Sequence, residues 1–189
     1  MNISNKFKQL IFVKYKIWKY KLLSNCKSII GNPVIFHPIL IMGKGQVIFG
    51  KNVQIGVINS PNFYSHYSYF EVRTSKSKIA IGDNTAINNS FSIVSFSNIT
   101  IKCNVVIGFN CSIIDSDGHD LNSTKRKSLD IISKPVTIEN NVFIGDNVTI
   151  LKGVTIGENS IIGACSVVTK NIPSNVIAAG NPTIIIRNL

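Results

Sequence analysis

Charge is in short supply in this sequence: 15% of the 189 residues are Asp, Glu, Lys or Arg, and only nine are acidic. Ala and Glu are scarce as well, whereas Ile, Val, Asn, Ser, Thr and Gly dominate. That mixture disfavours a helical protein and suits strands joined by tight turns. No stretch of about 18 or more consecutive apolar residues occurs, so nothing reads as a membrane-spanning helix. Lysines interrupt every apolar run near the N-terminus, and no signal peptide is expected. Cys26, Cys103, Cys111 and Cys165 form no Cys-x-x-Cys pair and have no metal-ligand spacing with the three histidines. Free thiols in a reducing cytoplasm are therefore expected. A Gly-rich phosphate loop is also missing.

A net charge of +11 suggests nucleic acid until it is mapped. Lys6, Lys8, Lys14, Lys16, Lys19, Lys21 and Lys27 place seven positive charges in the first 27 residues, with no acid among them. The remainder holds thirteen basic against nine acidic groups. That remainder carries no basic stripe interleaved with aromatics of the kind that holds single-stranded nucleic acid, and no nucleic-acid partner is expected.

What is there is a period of six. Aliphatic residues recur at Ile138, Ile144, Ile150, Ile156, Ile162 and Val168, often followed by Gly, as at Gly145, Gly157 and Gly163. Small or β-branched residues sit four positions after each: Val142, Val148, Val154, Ser160 and Ser166. The register reappears at Ile81, Ile87 and Ile93, at Ile101, Ile107 and Ile113, and more weakly at Phe49 and Ile55. A helical face needs spacings of three and four and a strand needs two. Six describes a short strand and a turn, repeated, which predicts a parallel β-helix with three units per coil. One coil cannot bury its own apolar face, so stability must come from its neighbours.

The length fits one domain with an appendage, divided as a basic amphipathic helix over 1–28, a β-helix over 29–170 and a C-terminal cap over 171–189. Two insertions interrupt the β-helix. Residues 57–78 carry an aromatic cluster, Phe63, Tyr64, Tyr67, Tyr69 and Phe70; residues 114–137 are polar and charged. Solenoid insertions gather on one face, often the binding face. In the first segment Ile3, Phe7, Leu10, Ile11, Trp18 and Leu22 fall near one helical face. Such a helix packs on the coil end or a neighbouring subunit, or it contacts the membrane as an interfacial helix drawn to anionic lipid; the two are compatible. The expected location is cytoplasmic, with peripheral contact at the inner face of the membrane in the second case. The tail after Val168 caps the open end as a strand or a short helix.

The hexads, the loop Asp115-Ser116-Asp117-Gly118-His119-Asp120, the closing run from Ile162 to Lys170 and Ala178-Ala179-Gly180-Asn181-Pro182 resemble the hexapeptide-repeat acetyltransferases. Within that family the chain is most similar to the sugar O-acetyltransferases of galactoside, maltose and surface-polysaccharide type. The likeness covers residues 79–187 firmly and the first 78 loosely. It implies an all-β, left-handed parallel β-helix with a short N-terminal helix and a C-terminal capping segment. It also implies acetyl-CoA as co-substrate, no metal, a sugar or glycan acceptor, and a homotrimer with the coenzyme in a groove between subunits.

By that resemblance His119, 19 residues before the hexads resume at Ile138, is the general base. A sugar hydroxyl is protonated at neutral pH and attacks a thioester poorly; an imidazole can take the proton as the bond forms, contributing ~10²–10⁴-fold. The imidazole works best with its other nitrogen held by an acceptor. Asp117 is named for that role among the loop acids Asp115, Asp117, Asp120 and Asp130, although a carbonyl could serve equally. Asn89 matches the family's acceptor-binding asparagine. The acidic residue that the galactoside and maltose enzymes carry about two dozen positions before the histidine is replaced here by Ser95-Phe96-Ser97-Asn98. Backbone near Asp146 and Ala164 would pair with the pantetheine amides; Thr169, Lys170 and Arg187 would lie further along toward the phosphates. The family's other tail arginine falls on Ile184.

Three other readings compete. A γ-class carbonic anhydrase needs three zinc-binding histidines, and His37 and His66 lie in irregular segments. An N-acetyltransferase acting on an amino-sugar nucleotide leaves similar marks in sequence. A non-catalytic β-helix scaffold would have no use for the histidine loop.

Overall fold

The computed structural model describes residues 7–128 and 131–189. Its strands wind as a left-handed parallel β-helix with three faces of six, eight and six strands. The six-residue period becomes ladders. On the first face Phe49, Ile81, Ile101, Ile138 and Ile156 stand in register, coil upon coil. The second face stacks Ile55, Ile87, Ile107, Ile144, Ile162 and Ala178. The third stacks Ile41, Phe70, Ile93, Ile113, Ile150 and Val168. Almost all of these side chains are buried in the prism interior, each removing apolar surface worth about 1.5–3 kcal/mol.

The first interruption is shorter than the periodicity suggests. Ser68–Val72, inside the expected 57–78 insertion, is a strand of the third face, paired with Ile39–Gly43 and Ser92–Ser95. The hexad pattern misses it because Phe70 holds the ladder position, packed against Phe49 and Phe91. The insertion is thereby split into residues 57–67 and a five-residue turn, 73–77. The winding also begins earlier than the hexads, with Ser28–Ile30 and Val34–Ile35.

At the other end the cap is made of strands. Val176–Ala179 continues the second face in parallel, and Ile184–Asn188 folds back on it antiparallel. The N-terminal segment is helical, with a π-helical stretch Leu10–Lys14 followed by an α-helix Tyr15–Leu23. Ser24 joins it to the prism: its hydroxyl donates to the Tyr20 carbonyl and accepts from the Ile41 N–H. Tyr20 stacks on Tyr67 with ring centroids 4.4 Å apart, and the Lys16 ammonium donates to the Tyr64 carbonyl at 2.8 Å. The aromatic excursion at 57–67 is thus the helix's docking site. Of the face expected to be apolar, Phe7, Leu10, Ile11, Trp18 and Leu22 point to solvent, and Val13, Ile17 and Tyr20 are the residues turned inward. Ile3 lies outside the described residues.

Candidate active site

The three edges of the prism differ in turn chemistry. Between the first and second faces, Asn52, Asn84, Asn104, Asn141, Asn159 and Asn175 hold left-handed turns at φ of 56 to 62°. Asparagine tolerates that conformation better than other non-glycine residues. Their amides also bond coil to coil, from Asn52 through Asn84 to Asn104 and from Asn141 through Asn159 to Asn175. Between the second and third faces Ser90, Asn110, Asn147 and Cys165 do the same, with Asn110 bonded to Asn147.

No asparagine column runs up the third edge among the described residues. The third-face strands run out there into Lys44, Arg73, Phe96-Ser97, Asp115, Leu151-Lys152 and Thr169-Lys170, from the first coil to the last. The long loop before Val136–Ile138 leaves from this edge, and below it Lys27, Met42, Lys44, Glu71 and Arg73 line an open groove. Arg73 pairs with Glu71 at 2.9 Å, leaving Lys27 and Lys44 outside any ion pair among the described residues.

Asp115 anchors the loop. It is fully buried, and its carboxylate accepts from the Ser95 hydroxyl and from the Phe96 and Ser97 N–H groups at 2.7 to 2.8 Å. Three donors on one buried carboxylate satisfy its charge. This acid, contributed from the next coil, occupies the turn where the sequence itself has none, so Asp115 is structural.

His119 lies exposed on the loop, with Nδ1 3.1 Å from the Arg126 carbonyl. A carbonyl only accepts, so Nδ1 is the donor, and in the neutral ring the lone pair is on Nε2. The acceptor holding the ring is therefore backbone. Asp117 pairs with Lys152 from the next coil, tying the loop back to the edge, and is not the orienter expected from sequence. Asp120 caps a local turn through the Asn122 N–H, and Asp130 lies outside the described residues.

Asn89 is not free to bind an acceptor. It is fully buried; its Oδ1 accepts from the Val57 N–H, and its Nδ2 donates to the Val57 and Pro61 carbonyls at 3.1 and 3.0 Å. It pins the 57–67 excursion from above. His37 pins it from below, with Nε2 near the Asn62 and Ser65 carbonyls, which leaves that nitrogen unavailable to a metal. Among the described residues no group of three His, Cys, Asp or Glu is placed to hold one.

The five residues expected at the coenzyme fall on two edges and the cap. Asp146 and Ala164 stack on the second edge, so tightly that a Cβ on Gly145 would lie 2.7 Å from the Ala164 nitrogen. The Asp146 carboxylate accepts from the Phe109 N–H, and its carbonyl from the Cys165 N–H. Thr169 and Lys170 are exposed on the third edge above the histidine loop. Arg187, on the returning strand, bonds its neighbour's carbonyl. Burial pushes the Cys111 thiol up to about 11.

Residues 135–170 match the family described as bacterial transferase hexapeptide (six repeats). A solved galactoside acetyltransferase in complex with coenzyme A is 30% identical, covering all of this chain and 84% of that one, with a TM-score of 0.60. The chain belongs to the hexapeptide-repeat acetyltransferases. A solved polySia-specific acetyltransferase is 32% identical over 87% of this chain and 68% of that one, with a TM-score of 0.57. Galactoside O-acetyltransferase of Escherichia coli K12 is 47% identical over 113 residues, 60% of this chain. The chain spans 55 to 63% of the length of the first three curated relatives it matches.

Proposed function

We propose that this hexapeptide-repeat protein transfers an acetyl group from acetyl-CoA to a sugar hydroxyl, with His119 as general base. The acceptor class in this reading is a glycan of bacterial surface-polysaccharide synthesis, O-antigen or capsule. One observation carries it: the Arg126 carbonyl fixes Nδ1–H of an exposed loop histidine and leaves Nε2 free to accept a proton. The relatives named for galactoside and polySia substrates support a sugar acceptor.

Acetyl-CoA, when bound, supplies a thioester carbonyl carbon for the hydroxyl to attack. Nε2 takes the hydroxyl proton as the new C–O bond forms, holds it as imidazolium, and gives it to the departing sulfur. The Nδ1 bond to Arg126 persists throughout and stabilises the cation. Thr169 and Lys170, above the loop, fit the polar parts of the coenzyme; Lys44 and Arg73, below it, fit an acceptor extending along the edge. Asp146 and Ala164 stand on another edge, so a coenzyme that meets both sets bridges two prisms. That arrangement supports a homotrimer with the site shared between neighbours.

His119→Ala tests the assignment. Turnover is expected to fall ~10²–10⁴-fold while CoA affinity by calorimetry stays unchanged, the mark of an interaction made only in the transition state. Lys170→Ala should do the opposite, raising the coenzyme KM with little effect on turnover. Retention of more than about a tenth of turnover by His119→Ala, well short of general-base loss, refutes the role.

A further inference from the structure

The N-terminal helical segment has two apolar faces, and the prism covers only one. Val13, Ile17 and Tyr20 face inward, and Tyr20 is held by Tyr67. On the opposite side Phe7, Ile11, Tyr15, Trp18 and Leu22 recur at spacings of four, four, three and four, which is one stripe of a helix. All five are exposed, Trp18 at 61% and Leu22 at 71%. Lys8, Lys14, Lys19 and Lys21 alternate with these residues along the segment. None of these lysines takes part in an ion pair among the described residues, and the first acidic residue of the chain is Glu71.

A stripe of this size on a folded surface has an occupant. A second copy meeting it face to face would bring the two sets of lysines together, with no acid on the segment to offset them. An anionic lipid surface suits every part of it. Aliphatic side chains reach the acyl boundary, Trp and Tyr prefer the headgroup level, and lysines extend to the phosphates with their stems on apolar surface. We propose that this face docks in the plane of an anionic membrane, with the helix held to the prism by Ser24, Tyr20 and Lys16.

Trp18 is the only tryptophan in the chain and lies in the stripe, so its fluorescence reports docking directly. Adding phosphatidylglycerol-containing vesicles to the full-length protein should shift its emission to the blue and carry the protein into the vesicle pellet. Pure phosphatidylcholine should do neither, and about 1 M salt, with a screening length of ~3 Å, should release it. Replacing Lys14, Lys19 and Lys21 by Gln should weaken partitioning about a hundredfold. Ile11→Ser with Leu22→Ser should also abolish the shift, with circular dichroism unchanged because both side chains are exposed. Binding to neither lipid, or equally to both, overturns the proposal. So does emission that is already blue-shifted without lipid and is set only by protein concentration, which would assign the stripe to another copy or to contaminating protein.

Discussion

At the scale of single residues, His37 shows how a solenoid corner holds an imidazole in its neutral form. It is fully buried, its Nε2–H points at two carbonyls, and its Nδ1 has no partner among the described residues. Burial lowers its pKa below the usual 6.5, outweighing the two carbonyls that favour the charged ring. The unfolded chain therefore binds the proton first, and stability rises with pH across that interval. The contribution is whole above the unfolded value and is lost as pH falls from about 6.5 through the lowered folded value. The midpoint of thermal unfolding should accordingly drop between pH 7.5 and 5. His37→Gln, which keeps a donor toward both carbonyls, should flatten that slope; an equal slope in both proteins would move the cause elsewhere. His119 was legible as a candidate through the resemblance of its loop to the family's histidine loop. Its partner was not, since Arg126 contributes a carbonyl that every residue has. Asp115 and Asp117 look alike in sequence, yet one is buried against the Phe96-Ser97 turn and the other reaches Lys152. Only the stacking of coils separates them. The contacts of Asn89 are hidden from the sequence for a related reason: the excursion it holds starts 32 residues earlier in the chain.

The element scale is governed by contrast between adjacent side chains. In the two-residue strand Phe143–Ile144, Ile144 faces inward between Ile107 and Ile162 at zero exposure, whereas Phe143 faces out. Ile144→Ala should cost about 2–5 kcal/mol in urea unfolding, transfer and cavity contributions together. The loss should centre on the coils that touch it, because each coil contacts only its neighbours. A cost under about 1 kcal/mol, below the usual range for such a truncation, would mean that the ladder relaxes around the gap. The hexad period made this inward ladder readable with its correct register. It could not reveal Ser68–Val72, where Phe70 replaces the aliphatic residue, or which of two apolar stripes the N-terminal helix turns to the prism. That choice depends on Tyr67, which is distant in sequence.

The whole molecule leaves an apolar column uncovered. Ala86, Val106, Phe143, Ile161 and Ile177 stand in register on the outside of the second face, with Val106 and Phe143 both 46% exposed. Phe143→Asp changes this surface and leaves the interior ladder alone. If three prisms meet along the column, the wild-type protein should sediment at about three times 20.8 kDa and the variant at the monomer mass. The variant should also lose CoA affinity, since Asp146 and Thr169 would no longer be bridged. A wild-type monomer that binds CoA normally excludes this assembly.

The register of the ladders holds on both sides of the histidine loop. Ile101 lies under Ile138 and Ile113 under Ile150, although the chain between them makes the excursion from Asp115 to Pro135. The prism therefore counts coils and is indifferent to how many residues an edge turn contains. Lengthening such a turn costs little, about 0.6 kcal/mol for each doubling, and shifts no inward side chain. A reactive loop on this frame can be exchanged for another of different length, as a graft, while the stock keeps its own stability. Loop chemistry and scaffold stability can then change by separate substitutions, so divergence of the loop need not pass through a poorly folded intermediate.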